Sequence, residues 1–195
     1  MQTLIIGYQG APYSNSYRAA MTGFPNYIED NDILLPLVDS ATVADNLESG
    51  AIDYGVVAII NSLGGVVEET EEILDTGVFE IISETSIQIH HCLFKHPDVE
   101  WNEVDTIASH IQALIQTYNT RLAMYPGLEE EEIEDTAIGA IWLADGTLPK
   151  TTAVLCPLDA GLEHGLDLVH ENLEDTVSFT TFGLIRVADA AGDVY

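Results

Sequence analysis

One stretch limits what this chain can fold into more than any other. Tyr54 to Ile60 is an apolar run rich in β-branched residues and short enough to be a strand buried on both faces, as a parallel sheet requires. Before it, Leu47 and Ser49-Gly50 read as the end of a helix. After it, Asn61-Ser62 stands where the strand stops, Gly64-Gly65 permits a tight turn, and a Glu-rich helix is expected from Val66. A polar pair beyond a buried strand, with a helix N-terminus behind it, is where open α/β sheets hold ligands.

Strand and helix patterns alternate through the rest of the chain. Strands are expected at Leu4 to Gly7, Asp32 to Val38, Phe79 to Glu84, Ser86 to Phe94, Val104 to Ala108, Thr152 to Cys156, Leu166 to Val169 and Ser178 to Val187. Between them, helices are expected from Tyr17 to Gly23, from Ser40 (as cap) to Glu48, from Thr136 to Ala144 and from Pro157 to His164. A further helix, capped by Ser109, places Ile111, Leu114, Ile115, Tyr118 and Leu122 at one-face spacing. Ser14 or Ser16 is the natural cap of the first helix, and two hydroxyls with several free amides there also make an anion seat. The alternation defines an α/β class. With no repeat and no linker, it suggests two lobes with ligand between them, lobe 1 about 1–78 plus 176–195 and lobe 2 about 79–175. The small, polar tail after Val187 is expected to fray.

Charge narrows the function. Five Lys+Arg stand against 33 Asp+Glu, a formal net charge of −28. That balance excludes nucleic-acid binding by phosphate neutralisation and docking on anionic membranes. No stretch approaches the roughly 18 apolar residues of a spanning helix, and the N-terminus lacks the basic region of a signal peptide. Cys92 and Cys156 are too few for a disulfide framework, so a cytoplasmic location is expected. Adaptation to high salt would account for the acidity, as would a merely acidic soluble protein. Glu129 to Asp135 reads as a solvated run without the loop geometry of a cation site. His90 and His91 alternate along a strand and cannot join Cys92 in one metal site, and Cys92 suits the core better than catalysis. No metal or cofactor is expected.

Several blocks in order resemble the prephenate dehydratase family. Tyr8-Gln9-Gly10 through Ser14, Ser16 and Ala19-Ala20 is similar to its first loop, and Glu48-Ser49-Gly50…Asp53-Tyr54-Gly55-Val56-Val57…Asn61-Ser62…Gly65…Val67 to its most diagnostic motif. Ile89 to Leu93 looks like its middle strand. Ser109-His110 with Gln112-Ala113-Leu114 resembles its serine–histidine helix start, Ile111 standing where proline is usual. Gly165-Leu166 and Asp175 precede the last motif as in the family. That motif is usually Thr-Arg-Phe; here it is Thr180-Thr181-Phe182, and Ala58 and Ile60 replace a usual proline and glutamate. The resemblance implies two α/β lobes like a type 2 periplasmic-binding protein closing on a substrate in the cleft, and relatives that pair, so a homodimer is expected. The chain ends where most relatives begin a phenylalanine-sensing domain, so control by that route is expected to be absent.

The implied reaction converts prephenate to phenylpyruvate, expelling water and carbon dioxide. It needs a donor at the ring hydroxyl and fixed dipoles for two carboxylates. By resemblance Thr180 polarises the hydroxyl. Ser14, Ser16, Asn61, Ser62, Ser109, His110, Thr181 and Phe182 are the implied substrate-binding residues. An arginine–carboxylate pair contributes about 1.5–3 kcal/mol, whereas Thr181 offers one neutral hydrogen bond, so weaker prephenate binding is expected. A prephenate decarboxylase that does not aromatise, or a non-catalytic small-anion binding module on the same fold, are the alternatives.

Overall fold

In a computed structural model of the chain, which describes residues 3–188, the strands sort into two sheets. The first half runs β1 (Ile5–Gln9), α1 (Asn15–Gly23), β2 (Ile33–Leu37), α2 (Ser40–Glu48), β3 (Tyr54–Asn61), β4 (Gly65–Val66), α3 (Glu68–Asp75) and β5 (Phe79–Ile89). It continues through β6 (Cys92–Lys95), β7 (Thr106–Ser109), α4 (Ile111–Gln116), α5 (Tyr118–Met124) and β8 (Glu129–Glu132). The last elements are α6 (Thr136–Asp145), β9 (Thr152–Cys156), α7 (Leu158–Glu163), β10 (Asp167–His170) and β11 (Ser178–Val187). Two units emerge, Met1–Gly10 with Ser16–Ile87 and Phe179–Tyr195, and Ala11–Asn15 with Gln88–Ser178. The tail expected to fray lies, from residue 189 on, outside the described residues.

In the first unit the sheet order is β2-β1-β3-β11-β5, with β4 hairpinned onto β3. β3 is parallel to β1 and antiparallel to β11, so the strand expected in a parallel sheet is the seam of a mixed one. It is buried on both faces because helices cover both. Val56 packs with Ile6, Tyr8, Phe24, Phe182 and Leu184, whereas Val57 packs with Val43, Leu47, Ile52 and Ile185. Gly55 lets α2 approach: a Cβ there would lie 2.5 Å from a Val43 methyl.

Three helix starts depart from the sequence expectation. Asp39, not Ser40, caps α2, its carboxylate accepting from Thr42 N at 2.7 Å; Ser40 is fully buried and shares a 3.0 Å hydroxyl contact with Thr70. A carboxylate one position earlier wins the free amide because it is the stronger acceptor. The Glu-rich helix begins at Glu68 rather than Val66, because Gly65-Val66 first pairs back onto Ile60 and Asn61. In the second unit His110, not Ser109, caps α4, its ring nitrogen accepting from Gln112 N at 3.2 Å.

The second unit has sheet order β10-β6-β9-β7-β8. Leu93, Ile107 and Leu155 face one cluster with Leu114 and Leu173, and Phe94, Val154 and Cys156 the other with Ala137 and Leu143. Cys92 lies opposite Cys156 in the β6–β9 pairing; both thiols are free and buried, and burial pushes Cys156 well above the usual thiol range. Phe79 to Ile89 is one strand rather than the end of one and the start of another, and the break falls at His90-His91. Glu129–Glu132 is exposed as expected, but it is an extended edge strand parallel to β7, a charged edge of the kind that discourages further pairing. The helix expected over Ile111 to Leu122 breaks at Thr117 into α4 and α5.

Candidate active site

The site in the first unit is built by a bulge. Between Thr181↔Ile60 and Phe182↔Ala58 the register slips, so Ile59 and Ile60 together stand opposite a single step of β11. Strict alternation along β3 would place Asn61 on the face of Val57. The extra residue turns it over to the face of Ala58, where Thr180 lies directly across. The Asn61 oxygen accepts from Leu63 N and Gly64 N, both at 2.9 Å, closing the turn into β4. With its oxygen held by two backbone donors, its amide nitrogen faces the other way and donates to the Thr180 hydroxyl at 2.9 Å.

That contact orients Thr180. Its oxygen accepts from Asn61, so its own proton remains to be donated elsewhere, and the side chain is buried to 7% exposure. Ser62 fastens the same corner: its amide donates to Phe179 O at 2.8 Å, and its hydroxyl accepts from Phe179 N at 3.0 Å. Beside them Gln9, at the end of β1, accepts from Ala58 N at 3.4 Å where the bulge carries β3 off the β1 ladder. Nothing in the sequence marks Gln9 for this role, because an amide side chain at a strand end gives no warning that a bulge will need it.

The rest of the last motif points elsewhere. Thr181 lies on the opposite face of β11 from Thr180, and its hydroxyl contacts that of Ser86 at 2.7 Å. Phe182 is buried among Tyr8, Phe24 and Val56. Ser16 falls inside α1 rather than at its cap, and Ser14 directly precedes the helix; both are buried.

In the second unit Ser109 is fully buried at the end of β7, its hydroxyl donating to Leu155 O at 2.8 Å, with His110 capping the helix behind it. His91 is buried and bonded to Gln116 at 3.0 Å; burial lowers its pKa, which keeps it neutral. Its neighbour His90 meets Glu174 at 2.8 Å. Two buried oxygens of this unit, Asn15 Oδ1 and Ser178 Oγ, have no hydrogen-bond partner among the described residues. An unsatisfied buried hydroxyl costs about 1–3 kcal/mol, and Ser178 carries that cost on the strand that also holds Thr180. No cluster of three His, Cys, Asp or Glu among the described residues could hold a metal ion.

The mixed α/β fold agrees with what known proteins show. The prephenate dehydratase family profile matches residues 6–190, and the chain belongs to that family. Arogenate dehydratase 5, chloroplastic, of Arabidopsis thaliana is 30% identical over 187 residues, covering 96% of this chain but 43% of its own length. The chain therefore spans less than half of that plant relative. Among solved structures, prephenate dehydratase from Arthrobacter aurescens in complex with L-Phe superposes with a TM-score of 0.83 at 24% identity, over 96% of this chain and 61% of that one. A periplasmic substrate-binding protein of an ABC transporter from Coxiella burnetii shares the fold at a TM-score of 0.50 and 15% identity, over 93% of this chain and 84% of that one. Among the described residues no helix is long and apolar enough to cross a membrane.

Proposed function

We propose that this chain is a dehydratase that converts prephenate to phenylpyruvate. In that reaction the ring carboxylate leaves as carbon dioxide, its bonding pair enters the ring, and the ring hydroxyl departs as water with a proton taken from solvent. Neutral threonine is a poor acid, so Thr180 acts by hydrogen-bonding the departing oxygen. The observation that carries this reading is the Asn61–Thr180 contact: it fixes the threonine oxygen as an acceptor and leaves its proton for the substrate. Asn61 thus positions, and Ser62 holds the turn through Phe179. Family membership supports the assignment.

A second substrate has its own support. Arogenate carries an ammonium where prephenate carries a ketone, and losing water and carbon dioxide turns it into phenylalanine. A chain of net charge −28 with threonine at the family's arginine position repels a dianion more than a zwitterion bearing one extra positive group. The plant relative's name points the same way. We also propose a cytoplasmic setting, supported by two free, buried cysteines, and activity that rises with salt as screening weakens self-repulsion.

Incubation with each compound at low and high potassium chloride tests these readings. Phenylpyruvate from prephenate supports the first, and phenylalanine from arogenate at a higher kcat/KM supports the second. A non-aromatic keto acid would identify a decarboxylase instead, and binding without turnover a binding module.

A further inference from the structure

Cys92 and Cys156 are the only cysteines of the chain, and the fold sets them side by side. They are direct partners in the antiparallel β6–β9 pairing, followed by Leu93↔Leu155 and Phe94↔Val154. Directly opposed residues of such a pair have Cα atoms about 4.5 or 5.5 Å apart, depending on whether they exchange backbone hydrogen bonds. A disulfide bridges Cα atoms about 4.4–6.8 Å apart, so it fits in either case. The side chains also leave the sheet together: both cysteines pack among Phe94, Val154, Ala137 and Leu143, whereas Leu93 and Leu155 belong to the cluster on the other face. Both sulfurs are thiols, in residues 2% and 0% exposed.

Their surroundings decide which oxidant can reach them and what a bond between them would fasten. Burial holds the Cys156 thiol protonated, and thiolate is the reactive form, so the pair is slow towards any oxidant and closed to a bulky one. A net charge of −28 repels anionic disulfides as well. A small uncharged peroxide passes both the steric and the charge barrier. Cys156 follows Leu155, whose carbonyl accepts from the Ser109 hydroxyl at 2.8 Å. Cys92 follows His91, which bonds Gln116 at 3.0 Å. A bond between the two sulfurs therefore joins strand ends whose neighbours hold the serine before α4 and the last residue of α4.

We propose that Cys92 and Cys156 are a redox-sensitive pair that hydrogen peroxide closes into a cross-strand disulfide, stiffening the end of β7 that carries Ser109. One sulfur, as thiolate, displaces hydroxide from the peroxide and becomes a sulfenic acid. The other sulfur attacks it; the S–O bond breaks, the S–S bond forms and water leaves, so two thiols and one peroxide yield one disulfide and two waters. A dithiol reductant reverses the step. The proposal is independent of which substrate is turned over.

Hydrogen peroxide added to the folded wild type tests it, followed by unfolding, alkylation and mass measurement. The expected result is a single chain lighter by two hydrogens, with no thiol left to alkylate and one peptide pair joining Cys92 to Cys156. The oxidised protein should melt about 5 °C or more higher, because the bond closes the long stretch between 92 and 156, and dithiothreitol should restore the original melting point. Amide exchange should slow across 106–109 in the oxidised form. Cys92→Ala and Cys156→Ala should each lose the melting shift; should either fail to fold, the peptide map of the wild type decides alone. Thiols that stay alkylatable, added oxygen in place of lost hydrogen, a link between two chains, or a disulfide that leaves exchange at 106–109 unchanged would overturn the proposal.

Discussion

Two strand ends in this molecule use the same residue types for different work. After β3 come Asn61-Ser62, and after β7 come Ser109-His110. Ser62 is exposed and its hydroxyl accepts from Phe179 N, while Ser109 is fully buried and donates to Leu155 O. The difference comes from the neighbouring strand. β11 runs antiparallel to β3, so Phe179 lies beside the turn and a hydroxyl there closes it. β9 runs parallel to β7, their last pair is Ala108↔Val154, and the next serine bonds the next carbonyl inside the core. A serine at a strand end therefore has no fixed role; the direction of the adjacent strand decides whether it serves a corner or the packing.

If the β3–β11 corner is the chemical one, its central hydroxyl should give the largest effect. Thr180→Val keeps the shape and removes the donor; kcat on the preferred substrate should fall about 10²–10³-fold, as when one donor to developing charge is deleted. KM should move little, because the bond matters most as the ring oxygen leaves. A loss confined to KM would make Thr180 a binding group only. The two serines come next. Ser109→Ala leaves a buried carbonyl without its donor and should lower stability by about 1–2 kcal/mol in denaturant unfolding. Ser62→Ala frees an exposed turn and should lower kcat/KM proportionally more than it lowers stability. Equal effects of the two substitutions on both quantities would erase the distinction between the corners.

The contrast also shows what could be read from residues alone. The buried strand, the polar pair after it, and the family of both were legible because β-branched runs and motif order are local properties of the chain. The bulge was not: nothing in Ala58-Ile59-Ile60 announces which residue will be skipped, since the slip is set by pairing with β11 far along the sequence. For the same reason alternation alone would have sent Asn61 to the wrong face. The burial of α4 and α5 was illegible because the apolar stripe over Ile111 to Leu122 is what a core-facing helix shows, yet Ile111, Ile115, Tyr118 and Leu122 are exposed and Arg121 is buried. Arg121 is held inward by Thr117, Leu114 O and Glu130, the last a tertiary contact that no local pattern announces.

A smaller effect concerns position 181. Thr181 is on the face of β11 away from Asn61 and Thr180, tied to Ser86, so an arginine there acts on the substrate mainly through charge. Thr181→Arg should raise kcat/KM for prephenate about tenfold at low salt, equivalent to about 1.4 kcal/mol. The gain should be less for arogenate, and should shrink for both in high potassium chloride. A gain that ignores salt would mean the guanidinium touches the substrate. No gain at all would show that charge at 181 does not limit turnover.

The smallest effect belongs to the second unit, and to stability. Asp175, the residue that precedes the last motif, caps α5 from a distance. Its carboxylate accepts from Asn119 N at 2.9 Å, Asn119 Nδ2 at 3.0 Å, Thr120 N at 2.7 Å and Thr120 Oγ1 at 2.8 Å. Burial alone would raise its pKa, but these four donors outweigh it and hold the carboxyl below the usual aspartate range. A folded-state pKa depressed in this way adds stability that is fully present above the unfolded value, near about 3.9, and is lost as pH falls through the folded value. Asp175→Ala should therefore cost about 1 kcal/mol at neutral pH. The gap from wild type should close on acidification, while Asp175→Asn, which keeps an acceptor but no charge, should lose less. Urea unfolding of the three proteins across that range measures it. A gap that persists below the folded pKa would mean Asp175 holds α5 by shape rather than by charge.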